Sequence, residues 1–417
     1  MAHCPHVMRA LARSVLCGTW LCVGMVAFCP RSHAQARTEA RASASATGCT
    51  LIRSANLQLN AASIASTGGT IAAVATATGW LLAYRARTDA VWIARLDDSL
   101  VRVDEDRQVS GPVAAFAMVP APGGAVLVLA ERDRHDVASS DVLLARVDTR
   151  GDARNVPRQL GRVSGCDGVA VTPSIHGFVV AWGSREGPTT STVTTDLRGV
   201  ATARSRVVVD ASMPVLTALT GQTRFAMIAR GAAGSTLLHL DESAAAIEAW
   251  PLQGRGRTLV ALPSQVLAWS SSGDDGTLAT RWWPGAAPIE LSNASLRAIT
   301  PSMLAVTSVA DRYGVLAMIQ DSTGRELLVR VGNDGVASSL GLRGSGSGAL
   351  AASLDNTAVL VVNHRADGAL AVQHEQCPRM PTLAPISGPA VSPAAISSGA
   401  LGDAGRPEST SELRETE

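Results

Sequence analysis

An all-β fold is what this sequence predicts, and three observations predict it. A short apolar strand signature recurs seven times, at spacings of 39 to 51 residues. Each copy is followed by a polar loop, a second strand and, in six cases, a turn rich in Asp, Gly or Ser. Beyond the first 36 residues, no apolar pattern of helical period runs for a useful length. Four short strands per unit of about 46 residues, seven times over, is the pattern of a seven-bladed β-propeller. The uneven spacing leaves six or eight blades, or two β-sandwiches in tandem, as alternatives.

The signature copies are GWLLAYR at 79–85, GAVLVLAE at 124–131, GFVVAWG at 177–183, RFAMIAR at 224–230, QVLAWS at 265–270, YGVLAMI at 313–319 and TAVLVVN at 357–363. Ala83, Ala130, Ala181, Ala229, Ala268, Ala317 and Val362 are taken as equivalent. Second strands follow, from AVWIARLD at 90–97 to ALAVQHE at 369–375. The turns after them, such as DTRGD at 148–152, supply the positive-φ positions that tight hairpins require. A strand of small residues precedes each signature, as in TIAAVA at 70–75, and suits the crowded axis of a propeller. A less apolar outer strand closes each unit, as in ARSRVVV at 203–209.

The seventh unit lacks that outer strand, because its second strand ends near Glu375. The chain start carries a spare one: LQLNAASI at 57–64 resembles IELSNASL at 289–296. A strand near 57–59 is therefore expected to complete the last blade and close the ring, since an open sheet edge invites unwanted pairing. Closure would bring Cys49 and Cys377 together as a disulfide, with Cys166 as a competing partner.

The ends differ from the body. Arg9 and Arg13 precede an apolar run at 15–28, and Ala34 and Ala36 hold small-residue positions. This is a secretory signal peptide, 1–36, with cleavage after Ala36. The run is too short to span a bilayer as a helix, and no later segment is apolar enough. Residues 37–48 form a polar leader expected to be disordered. The propeller occupies 49–377. The tail, 378–417, is rich in Pro, Ser and Gly, ends acidic, and is also expected to be disordered. The exported protein belongs in the periplasm or outside the cell.

Without residues 1–36 the chain carries 33 Arg, no Lys, and 35 acids. A net charge of about −2 argues against nucleic acid as a partner, because phosphate contacts need a basic surface. Three cysteines far apart make no zinc motif. Five histidines remain, none paired at ligand spacing, so no metal and no cofactor is expected. There is no G-x-S-x-G elbow and no phosphate-cradling Gly loop.

The repeat resembles the propellers of secreted and periplasmic bacterial proteins, WD40-like or sialidase-like in shape only. Trp182 and Trp269 stand where a blade-packing aromatic belongs. The Trp-Asp dipeptide of WD40 repeats is missing. SGDDGT at 272–277 is similar to the sialidase Asp-box, but Ala279 stands in place of its Trp. The resemblance implies a fold and carries no activity. Tyr84 and Tyr313, the two tyrosines, read as packing and strand-end residues rather than nucleophiles, and no catalytic residue is assigned.

One face gathers charge. The loops between second and third strands hold Arg85, Arg132, Arg134, His135, Arg185, His364 and Arg365. Arg carries a planar set of donors suited to anions, so these are the binding candidates. The expected function is an exported, non-enzymatic binding or scaffolding module, monomeric, whose ligand is an unknown protein or glycan. The alternative is a glycan-active hydrolase or lyase working in the axial mouth.

Overall fold

Runs of Val, Leu, Ile, Ala and Thr only five to ten residues long are broken by Gly, Asp and Pro too often for helices to propagate. Strands are the outcome. The computed structural model describes residues 49–59, 71–187, 189–207, 212–219, 221, 223–231, 234–263, 265–272, 276–291, 305–311, 314–320, 324–332, 337–345, 348–365 and 369–376. The signal peptide, the leader, the tail, Tyr313 and Cys377 lie outside them. Among the described residues every α- or β-element is a strand, and no helix is long and apolar enough to cross a membrane.

A seven-stranded antiparallel sheet comes first. Its strands are β2 (Ile71–Thr76), β3 (Gly79–Arg85), β4 (Ala90–Leu96), β5 (Arg107–Ala121), β6 (Gly124–Arg132), β7 (Ser139–Asp148) and β8 (Arg158–Ser164). Strand β5 does two jobs. Its first half pairs with β4 (Ile93↔Arg107) and its second with β6 (Val113↔Glu131 to Ala121↔Gly124). The sheet is therefore two four-stranded groups sharing one strand.

Five four-stranded sheets follow, each antiparallel. The third group is β9 (Cys166–Pro173), β10 (Gly177–Ser184), β11 (Thr189–Asp196) and β12 (Ala201–Val207). The fourth is β13 (Val215–Ala218), β14 (Phe225–Gly231), β15 (Gly234–Leu240) and β16 (Ala246–Leu252). The fifth is β17 (Arg255–Ala261), β18 (Val266–Ser272), β19 (Gly276–Trp282) and β20 (Ile289–Glu290). The sixth is β21 (Ala305–Asp311), β22 (Gly314–Gln320), β23 (Arg325–Gly332) and β24 (Ala337–Ser345). The last combines β25 (Gly348–Ala352), β26 (Val359–His364) and β27 (Leu370–Gln376) with β1 (Thr50–Leu57) on its outer edge. The pairing runs from Thr50↔Gln376 to Leu57↔Leu370. The borrowed strand thus begins several residues earlier than LQLN suggested, and Leu57 is its end rather than its start.

The core lies between the groups. Six apolar clusters each join two neighbours: first with second, and so on to sixth with seventh. One more pairs Leu57, Leu360, Leu370 and Val372 of the last group with Trp80, Leu82 and Tyr84 of the first. Each fully buried Leu or Val contributes about 1.5–3 kcal/mol. The second strands carry most of this burial because both their faces are covered. Trp182 and Trp269 sit in such clusters, as blade-packing residues should. Tyr84 is fully buried, and its hydroxyl donates to Asp106 Oδ2 at 2.6 Å, while Asp106 pairs with Arg102 at 2.7 Å.

The signature alanines are not all equivalent. Ala83 and Ala181 face the following group, whereas Ala229, Ala268 and Ala317 face the preceding one. A one-residue slip flips a strand's faces, and three of the seven copies are slipped. The better anchor is the first residue of the second strand. There Gly124, Gly177 and Gly314 oppose the end of the third strand, and Gly79 lies against Leu96 and Asp97 at the same place. A Cβ at any of these would come within about 2 Å of a backbone oxygen, that of Leu96, Val147, Thr195 or Val331.

A second repeat appears at the turn after the third strand. Asp97, Asp148, Asp196 and Asp241 each accept two backbone N–H bonds through Oδ1, from positions two and four residues on, at 2.8–3.0 Å. The residue three positions on has positive φ: Leu100, Gly151, Gly199 and Ala244. Each turn is thus the same Asp-closed loop, whichever residue takes the strained position.

Candidate functional site

Up-and-down strands sort the connections onto two ends. The β3–β4, β6–β7 and β10–β11 loops and the links between groups share one end; the β2–β3, β5–β6, β9–β10 and β25–β26 turns share the other.

At the loop end the arginines are engaged. Arg132 Nη1 is 2.7 Å from Asp89, which also has Arg85 Nε at 3.8 Å. These two candidates, from neighbouring groups, are brought together by a shared carboxylate. Arg162 pairs with Asp133, and Arg185 with Asp167. Backbone bonds continue the seam: Gly165 N–H donates to Ala138 O at 2.7 Å, and Arg185 N–H to Gly165 O at 3.0 Å. Arg134 and His135 are exposed beside it. Arg365 is elsewhere, with Nη1 donating to Asn56 Oδ1 of β1 at 3.1 Å. The His364 side chain lies outside the described residues.

The strand histidines are packing groups. His239 is buried, with Nδ1 3.1 Å from Glu248 Oε2 and its ring edge-on to Trp282. His374 meets Trp80 edge-on at 5.6 Å; burial, then the charge of Arg53, holds its pKa below the usual value. Among the described residues, no three His, Cys, Asp or Glu side chains gather as a metal site. Cys166 is free, and burial pushes its thiol up. Cys49 is disulfide-bonded, and its partner lies outside the described residues.

The turn end holds what sequence reasoning missed. A cavity of about 650 Å³ opens among the β2–β3, β5–β6, β9–β10 and β25–β26 turns. Pro120, Pro122, Pro173, Ile175 and Leu354 line it, with Phe178 buried beneath. Among the described residues, no ionisable side chain contributes to the lining. Ile175 and Leu354 are 58% and 62% exposed, so both offer apolar surface to an incoming group. The volume lies within the range of ligand pockets. The signal was present in VPAPGG at 119–124 and TPSIHG at 172–177, where Pro and Ile stand in turns that polar residues usually fill.

Comparison with known proteins adds fold and nothing finer. No protein-family model and no curated protein sequence matches the chain. Among solved structures it is similar to BBS1N, crystallised in complex with ARL6DN. That match has a TM-score of 0.52 and 11% identity, and covers 81% of this chain and 99% of BBS1N. It is also similar to hydrazine synthase of Kuenenia stuttgartiensis, with a TM-score of 0.51, 13% identity, and coverage of 76% and 98%. The likeness is one of fold alone. Both are propeller-like, as this chain is.

Proposed function

We propose that this chain is an exported, non-enzymatic binding module that grips an extended apolar segment of a partner protein at the turn end of a seven-bladed ring. The cavity carries the reading. Its lining is mostly apolar, and among the described residues the hydroxyls of Thr76, Thr149 and Ser174 have no acid or base beside them in the lining to activate them. A glycan needs many hydrogen-bond donors and acceptors; a Leu-, Ile- or Pro-rich segment needs the surface that Pro122, Ile175 and Leu354 provide. That BBS1N is crystallised with a protein partner supports a protein ligand on this architecture.

Taking β5 twice, as outer strand of the first blade and inner strand of the second, supports a count of seven. The pairing of β1 with β27 and the cluster shared by last and first groups support closure of the ring. The register ends at Thr50↔Gln376; continued by one residue it would pair Cys49 with Cys377, which we take as the disulfide. Export with cleavage after Ala36 fits a disulfide-bearing protein.

The test is peptide-array binding with the chain from residue 37 onward. Leu/Pro-rich peptides should bind, and Ile175→Asp and Leu354→Asp should weaken them about tenfold or more, a loss of about 1.4 kcal/mol, with unchanged circular dichroism. Equal binding by both variants would remove the turn end from the reading. The exposed Arg134 and His135 keep the loop end as a second form of it, and the Arg132→Ala/Arg134→Ala double variant on a glycan array tests that.

A further inference from the structure

Three arginines that belong to none of the ion pairs above stand together where the fourth and fifth groups meet. Arg230 ends β14, and across the sheet it opposes Ser235 of β15. Ser235 Oγ accepts the N–H of Gly256 at 2.7 Å. Gly256 lies between Arg255 and Arg257 at the start of β17. One register step and one hydrogen bond therefore connect Arg230 to the residue flanked by the other two. Gly256 is buried against Ile228 and Ser235, leaving no room for a Cβ, so the approach of the two backbones is fixed.

Two of the guanidinium groups are held by their inner nitrogens. Arg230 Nε donates to Met213 O at 3.3 Å, and Arg257 Nε to Ser271 Oγ at 3.0 Å. Their terminal NH₂ groups have no protein acceptor among the described residues, and none of the three arginines has a carboxylate within ion-pair distance there. Arg230 and Arg257 are partly buried, Arg255 exposed. Burial, then repulsion from Arg257 and Arg255, pushes Arg230 down to about 10, and Arg257 is lowered by burial and by Arg255. Like charges brought together out of water cost free energy unless an anion compensates them.

We propose that Arg230, Arg255 and Arg257 form a binding site for an oxyanion, a phosphate, sulfate or carboxylate group, at the loop end of the fourth and fifth groups. The forked NH₂ pairs suit two oxygens at once. The cluster lies at the opposite end from the apolar cavity, so its fate is independent of the peptide reading.

The test is calorimetric titration of the chain from residue 37 onward, at constant ionic strength in chloride, with inorganic phosphate, sulfate and a galacturonate oligomer as separate arms. Saturable binding in at least one arm is expected, and the arm that binds best names the source. Arg257→Gln should raise Kd about tenfold or more, while Arg134→Ala leaves it unchanged. Without oxyanion, Arg257→Gln should melt no lower than the parent, because repulsion is relieved. Absence of saturable binding in all three arms up to tens of millimolar would overturn the proposal. So would equal affinity in Arg257→Gln and its parent, or a drop in melting temperature for that variant, which would mark the arginine as a structural brace.

Discussion

Glu326 is buried, and among the described residues no charge compensates it. Its side chain is 1% exposed, Oε2 has no partner, and burial pushes its pKa up to about 8 from 4.5. Between those two values the folded state keeps a proton that the unfolded chain has released. Stability therefore falls as pH rises through that window. Glu326→Gln should flatten the fall, by up to about 4 kcal/mol at pH 8, as read by urea unfolding at pH 5 and pH 8. Tyr84→Phe should cost about 1–3 kcal/mol, because it strips a hydroxyl donor from a fully buried carboxylate. Legibility at this scale follows chain distance. Trp182, Trp269 and Tyr84 could be read as packing residues from the strands around them. Arg230 and Arg257 could not be joined in advance, since 27 residues separate them and only the β14–β15–β17 register brings them together. Arg85, Arg132 and Arg185 read as a charged rim; Asp89 shares a loop with Arg85, but its pairing with Arg132 and that of Asp167 with Arg185 join distant segments and become visible only in the fold.

At the scale of the element, the strands were legible to within a residue or two, from GWLLAYR onward, because burial on both faces writes them as plain apolar runs. Their phase was not. A run such as VLVLA carries no alternation, so the alanines gave no sign of which way each strand faces, whereas the opening glycine is fixed by backbone crowding. Gly314→Ala should accordingly be severe. Its Cβ would stand 2.3 Å from Val331 O at φ +144°, and a loss above about 3 kcal/mol is expected by chemical denaturation. The Asp-closed turns make a milder prediction. Asp148→Ala and Asp196→Ala each remove two hydrogen bonds to the turn backbone and should lower stability by about 1–2 kcal/mol, with Asp148→Asn recovering part of it. The turn-end cavity as a whole is not legible in the sequence, because turn residues signal backbone conformation, and only the fold brings the apolar side chains of Pro122, Ile175 and Leu354 to one opening.

For the whole molecule, the fit of repeat spacing to four-stranded groups shows that architecture is recorded in periodicity even where family resemblance is absent. The turn-end cavity is not so recorded, because its lining residues Pro122, Ile175 and Leu354 come from three different repeats. Deleting residues 49–57 should expose the outer edge of β27 and strip Leu57 from the cluster it shares with Trp80, so aggregation and loss of the cooperative melt are expected by light scattering and calorimetry. The pairing of β1 with β27 has a further consequence for biogenesis. Synthesis proceeds from the amino end, so β1 must wait, unpaired, while the long stretch of chain between Leu57 and Leu370 is made. Throughout translation it is a sticky ribbon in search of a neighbour. A chaperone that holds the nascent polypeptide, or a translocation channel that keeps it extended, would protect it during that delay, and a truncated message would yield a product whose earliest segment never finds its mate.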